Sequence, residues 1–222
     1  MIENESAADR LAAVRDAVGR VARTAGRDAE SIELIAVSKT WDADAIRPLI
    51  EAGQRSFGEN RVQEAEAKWP GLMAGVADIR LHLVGQLQSN KAAEAVALFD
   101  VIHSVDRLSL VTALAKVMTA TGRRPDCYLQ VNIGAEAQKG GCAIAEIPGL
   151  LAAAGTAGLP VIGLMCVPPA DTEAAPFFAL LAKLAAENGV SGLSMGMSGD
   201  FETAVLLGAT AIRVGSALFG AR

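Results

Sequence analysis

Apolar positions recur along this chain in two rhythms. Between residues 5 and 25, Leu11, Val14, Val18 and Val21 stand three and four apart with charges between them, the period of a helix with one buried stripe; Gly26 closes it. Residues 32–40 then form an apolar run that ends in Ser38-Lys39-Thr40, as a strand buried on both faces reads. From there strand-like and helix-like runs alternate. Strands are predicted to end at Lys39 and to occupy 56–60, 80–85, 101–106, 127–133, 161–167, 192–197 and 211–215. Helices are predicted over 42–52 (capped by Asp42, ended by Gly53), 61–69, from Ser89 onward, 107–120, 143–156, 172–188 and 200–207, with a last short turn ending at Arg222.

Eight strands, each followed by a helix, and one additional helix in front match a (β/α)8 barrel. No Pro/Gly/Ser-rich linker, charge block or repeat divides the 222 residues, so residues 1–222 are expected to form one domain. The rival is a doubly wound open sheet; the absence of a GxGxxG after the first strand weighs against it.

Composition narrows the function. The hydrophobic fraction is 51% with only 4% aromatic residues, which suits close packing of helices on a sheet, and the net charge of −5 points to no nucleic-acid or membrane-surface partner. Cys127, Cys142 and Cys166 are an odd number without CxxC spacing, and there are two histidines; this argues for a reducing compartment and against a structural metal. The acidic start lacks a basic-then-apolar signal region, and no apolar run approaches the ~20 residues of a spanning helix. A cytoplasmic monomer is the expectation.

In a barrel of this kind the chemistry sits at the carboxyl ends of the strands, with phosphate often held after strands seven and eight. The unusual residues collect at those ends. Lys39 terminates the first strand; burial there would depress its pKa and make it a nucleophile towards carbonyls, whereas the plain alternative is a lysine that snorkels to water. Asn60 ends the second strand, Ser104 and Asp106 close the fourth, and Asn132 lies near the end of the fifth. Ser198-Gly199-Asp200 and Gly215-Ser216 offer two hydroxyls, approachable glycine backbone and the amides of a helix start, a possible phosphate cradle; separately they read as a cap and a turn. Arg213, flanked by Ile212 and Val214, needs an acceptor inside, either a ligand in the barrel mouth or a strand-end carboxylate such as Asp106. Met195 and Met197 read as core filler.

A reactive lysine, a phosphate cradle and a polar group facing a ring are what pyridoxal 5′-phosphate (PLP) requires, while a sugar-phosphate aldolase would share the first two. The segments Ala36-Val37-Ser38-Lys39-Thr40, Phe57-Gly58-Glu59-Asn60, Leu83-Val84-Gly85-Gln86-Leu87-Gln88-Ser89-Asn90-Lys91 and Ile102-His103-Ser104-Val105-Asp106-Arg107 resemble the pyridoxal phosphate homeostasis protein family. So do Gly163-Leu164-Met165 with Pro168, Leu193-Ser194-Met195-Gly196-Met197-Ser198 and the segment from Ile212 to Gly220. That family is similar in fold to the N-terminal barrel of alanine racemase, a type III PLP fold. The resemblance implies that Lys39 forms the internal aldimine, that Ser198, Gly215 and Ser216 contact the phosphate, that Arg213 faces the pyridine nitrogen and that Asn60 lies beside the cofactor. Leu81 and Ser216 stand where the family often has tryptophan and threonine. An always-protonated arginine cannot give the ring nitrogen a proton, so the ring is a weak electron sink. The lone Tyr128 lies away from the predicted site, and no second domain supplies a second base. A PLP carrier with no catalytic residue, serving PLP-requiring apo-enzymes as candidate recipients, is therefore favoured over a PLP-dependent racemase, with the aldolase third.

Overall fold

The computed structural model describes residues 5–220. Ser6 starts the first helix: its hydroxyl accepts from the Asp9 amide at 3.1 Å, while the Asp9 carboxylate accepts from the Ser6 amide. The helix α1 (Ala7–Thr24) buries Leu11, Val14, Ala17, Val18 and Ala22. Then follow β1 (Glu33–Val37), α2 (Ala43–Glu51), β2 (Ser56–Glu59), α3 (Val62–Met73), β3 (Arg80–Leu83), α4 (Ala92–Leu98), β4 (Val101–Val105) and α5 (Leu108–Thr121). The second half comprises β5 (Asp126–Val131), α6 (Ile147–Thr156), β6 (Val161–Cys166), α7 (Ala175–Glu187), β7 (Gly192–Ser194), α8 (Phe201–Leu206), β8 (Ala211–Val214) and α9 (Ser216–Phe219). Strands pair in sequence order and β8 pairs in parallel with β1, so the sheet closes into an eight-stranded barrel.

The predicted elements recur with shifted ends. β1 stops at Val37, two residues short of Lys39, and β7 is only three residues because Met195 onward forms a turn in which Gly196 takes φ 93°. The helices after β3 and β5 begin as 3-10 turns at Ser89–Lys91 and Ile144–Glu146. α1 is part of the wall: Arg10 Nε donates to the Leu218 carbonyl at 2.6 Å, and Arg27 donates to the carbonyls of Val205 and Ala209 at 2.9 and 2.7 Å.

The main core lies between the helices and the outer face of the barrel, where, for example, the Phe57 and Trp69 rings meet with centroids 5.0 Å apart. Inside the barrel the usual apolar layers give way to a mixed filling. Val101, Tyr128 and Met165 form a small separate cluster, and beside it lie the wholly buried His82, His103 and Ser194 together with Arg213. Tyr128 stacks on His103, centroids 4.6 Å apart. Between β6 and β7 the backbones come so close that a Cβ on Gly163 would stand 2.0 Å from the Gly192 carbonyl oxygen, and one on Gly192 would stand 2.9 Å from the Tyr128 ring. Among the described residues no helix is long and apolar enough to cross a membrane, and no group of His, Cys, Asp and Glu is arranged to hold a metal ion.

Candidate functional site

A cavity of about 590 Å³ opens at the carboxyl ends of the strands, and all six candidate residues line it: Lys39, Asn60, Ser198, Arg213, Gly215 and Ser216. The volume is that of a small-molecule site. Its apolar wall comes from Val37, Val84 and Val167, which end or follow β1, β3 and β6, and from Trp41, which stacks on Phe219 at 5.5 Å. The polar lining consists of cations, hydroxyls and one amide, with no carboxylate among these described residues. That donor set suits an anion carrying a flat apolar body.

Lys39 reaches this cavity differently from the sequence expectation. Because β1 ends at Val37, Lys39 belongs to the turn that follows and is exposed, not buried in the sheet. What the fold supplies is position. The turn is held from behind. Lys68 on α3, only 9% exposed, donates to the carbonyls of Ser38 at 3.1 Å and Trp41 at 3.0 Å, one on each side of Lys39. Its ammonium pairs at 2.7 Å with Glu59, which is wholly buried at the end of β2 and also accepts from Ser38 Oγ at 2.6 Å and Trp69 Nε1 at 3.0 Å. Glu64 accepts from the amide of Thr40, whose φ of 65° is left-handed, and so fixes the turn itself.

The two serine turns lie side by side. Ser198 Oγ accepts from the amides of Gly215 at 3.1 Å and Ala217 at 3.4 Å, which ties the β7 turn to the start of α9. The amides of Asp200 and Phe201, expected to point at an anion, instead donate to the Met197 carbonyl at 3.1 and 2.9 Å. The cradle thus comprises the exposed Ser216, the half-buried Ser198 and the glycine backbone. Asn60 is fixed by close packing: a Cβ on Gly85 would stand 2.2 Å from its carbonyl oxygen, so the loop after β3 rests directly on it.

Arg213 is 5% exposed and finds its acceptors inside the barrel, donating to Ser194 Oγ at 2.6 Å and to the Cys166 carbonyl at 2.8 Å. Asp106 is not its partner; that carboxylate pairs with Arg107 at 2.6 Å and accepts from the Gly141 amide. Burial pulls the Arg213 pKa below the ordinary arginine value, but the group remains a cation. Met195 is buried as expected, whereas Met197 is 39% exposed and lines the cavity, because the short β7 turns it outward. Asn132 is not among the lining residues; it closes its own loop by bonding to Glu136. Trp41, which also lines the cavity, carries no motif, although it is one of only two tryptophans in an aromatic-poor chain.

His103 lies directly below this site. Complete burial, with the neighbouring His82, Arg213 and Arg80 adding to it, holds its pKa well below the ordinary 6.5. The unfolded chain takes up a proton at this side chain below about pH 6.5 that the folded protein refuses. Stability from this group is therefore complete above pH 6.5 and declines as the pH falls below it. Urea midpoints at pH 7.5 and 5.5 are expected to show the loss, and a flat profile over that interval would contradict it.

Taken together, a closed (β/α)8 barrel with a lysine, a buried guanidinium and two serine turns around its mouth defines a barrel receptor suited to a small anion that carries an amine-reactive carbonyl. Residues 10–222 match the family model described as alanine racemase, N-terminal domain. The chain belongs to the pyridoxal phosphate homeostasis protein family. It is 41% identical to the pyridoxal phosphate homeostasis protein of Pseudomonas aeruginosa, over 97% of this chain and 95% of that one. It is 39% identical to the protein of the same name in Escherichia coli K12, over 97% and 96%. The structure of PipY from Synechococcus elongatus with PLP bound is similar with a TM-score of 0.81 and 40% identity, covering 92% of this chain and all of that one.

Proposed function

We propose that this protein binds PLP in the barrel mouth and takes part in intracellular PLP homeostasis as a carrier, without sustained turnover of its own. The observation that carries the reading is the convergence on one cavity of Lys39, Arg213 and the Ser198 and Gly215-Ser216 turns, with no carboxylate among the described residues that line it. Each of these groups answers one part of the ligand. Lys39 supplies the amine that can join the aldehyde carbon with loss of water. Ser198, Ser216 and the backbone at Gly215 receive the phosphate, and Asn60 and the valine walls flank the ring. Bound PLP supplies an electrophilic carbon and an electron-withdrawing ring.

Arg213 sets the limit on that chemistry. A guanidinium has five N–H donors and no proton to yield, so it can only donate a hydrogen bond to the ring nitrogen. A ring nitrogen held by Arg213 would stay unprotonated, and the ring would be a poor acceptor of electrons from a bound amino acid. A racemase also needs a second base, and the single tyrosine is no candidate: Tyr128 is 5% exposed and stacked on His103 inside the barrel. Recipients are apo-enzymes that require PLP.

The test is an absorption spectrum of the protein after incubation with PLP and desalting, before and after borohydride. A visible band that borohydride abolishes, with the added mass on the peptide containing Lys39, supports the reading; a colourless protein overturns PLP binding. A panel of D- and L-amino acids addresses turnover. Rates on the order of 1 per second or more, typical of enzymes, would replace the carrier by a PLP-dependent racemase or related enzyme.

A further inference from the structure

The barrel interior holds polar groups that nothing above uses. Arg213 Nη1 donates to Ser194 Oγ at 2.6 Å; Ser194 Oγ lies 2.8 Å from His103 Nδ1; His103 Nε2 lies 3.0 Å from His82 Nδ1; and His82 Nε2 lies 3.2 Å from Glu33 Oε1. The first of these residues lines the cavity at the carboxyl ends of the strands, and the last begins β1 at the opposite end.

Hydrogen-bond bookkeeping gives this chain a direction. Arginine only donates, so Ser194 Oγ accepts from it, and among the described residues the one other partner of that hydroxyl is His103 Nδ1. The serine proton therefore points at His103 Nδ1, which must be unprotonated. His103 then carries its proton on Nε2 and donates to His82 Nδ1, and His82 carries its proton on Nε2, facing Glu33. The three hydrogen-bonded links donate the same way, away from the guanidinium, and the chain ends with His82 Nε2 facing a carboxylate. The last link is a close approach and not a well-aligned hydrogen bond. Glu33 Oε1 is also shared with Ser56 Oγ on β2 at 2.8 Å and Arg80 Nη1 on β3 at 3.2 Å, and Arg80 pairs in turn with Asp126 on β5 at 2.9 Å.

We propose that Ser194, His103 and His82 are positioning residues that orient Arg213 in the cavity and couple its charge to the Glu33 carboxylate at the other end of the barrel. The buried guanidinium has no carboxylate within ion-pair distance among the described residues; Asp200 acts on it only from further off, and this polarised chain gives it a second route to a counter-charge. Hydrogen bonds in series polarise one another in a low-dielectric interior. The consequence is that the strength of the Arg213 hydrogen bond to a ring nitrogen is set partly by residues that never touch the ligand. This inference rests on the PLP reading for its ligand, but the chain itself exists without one.

Because the protein has only two histidines, ¹⁵N-histidine labelling tests the chain directly. In the cofactor-free protein, both imidazoles are expected to carry a proton on Nε2 and none on Nδ1; a proton on Nδ1 of either one overturns the assignment. The second measurement is the ¹⁵N resonance of PLP labelled at its ring nitrogen, bound to wild type and variants. Ser194→Ala is expected to move it most and to weaken PLP binding roughly tenfold, the scale of one charge-assisted hydrogen bond. Glu33→Gln and His82→Phe are expected to move it the same way by less, and Glu33→Gln alters the lumen least if a histidine variant fails to fold. A resonance that moves in Ser194→Ala but stays at the wild-type position in Glu33→Gln ends the coupling at the serine and overturns the proposal. If wild type takes up no PLP, the functional reading fails, and the tautomer pattern alone then decides whether the chain is as described.

Discussion

Lys39→Ala is expected to leave the protein colourless after incubation with PLP and desalting, with nothing fixed by borohydride and binding weakened at least about 100-fold, or about 3 kcal/mol. The loss should not come from unfolding. Lys39 is exposed and lies two residues beyond the end of β1, outside the core, so its truncation is expected to change stability by no more than about 0.5 kcal/mol. Lys39→Arg separates charge from covalency: it keeps a cation near the cavity but cannot form the carbon–nitrogen double bond at the ligand, and should hold PLP only reversibly. Lys68 is the nearest alternative anchor in sequence, but its ammonium already faces Glu59, Glu64 and two carbonyls within 3.2 Å. An amine so surrounded is held away from the cavity lining by the contacts it already makes. Should Lys39→Ala still yield a borohydride-stable adduct, peptide mapping would identify the true anchor and the assignment to Lys39 would fall.

The second large effect concerns that same Lys68. Removing one member of a buried ion pair leaves the other charge uncompensated, so Lys68→Met is expected to cost about 3–5 kcal/mol of folding stability. Glu59 is wholly buried; Ser38 Oγ and Trp69 Nε1 would remain on its Oε1, but neither carries a charge, and its Oε2 has no hydrogen-bond partner among the described residues. The double variant Glu59→Gln with Lys68→Met removes both charges and is expected to recover much of the loss. Urea denaturation of the four-protein cycle measures the coupling directly. Stability aside, Lys68→Met also releases the carbonyls on either side of Lys39, so PLP uptake should fall in both the single and the double variant. Full recovery of uptake in the double variant would show that Lys68 stabilises the fold without positioning the turn.

Much of the barrel was legible because the period-two and period-3.6 rhythms alternate without interruption, and glycines and caps mark the joints. Strand ends were legible as places where polar residues interrupt apolar runs, which is why the six candidate residues, scattered between 39 and 216, share one cavity. Where a strand stops was harder to read. Apolar character persists past the last paired residue, so Lys39 looked like a strand terminus although pairing ceases at Val37, and Met197 looked buried although β7 ends at Ser194. The polar column through the lumen was not legible at all. His82, His103 and Ser194 stand on three strands buried on both faces, so no alternation sets the inward positions apart, and their meeting depends on register across the sheet. The clamp on the Lys39 turn was missed for a related reason: Lys68 is one lysine on a mixed helix face until α3 is laid against β2.

The glycines at 163 and 192 have a bearing on how this sequence can drift. Each sits where a methyl group would collide with main-chain atoms, and the second also abuts the Tyr128 ring. Replacing either would wedge two neighbouring staves apart and tilt the aromatic plate on which His103 lies. Descendants of this protein are thus free to vary their outer helices, while this narrow seam admits almost no alphabet but glycine.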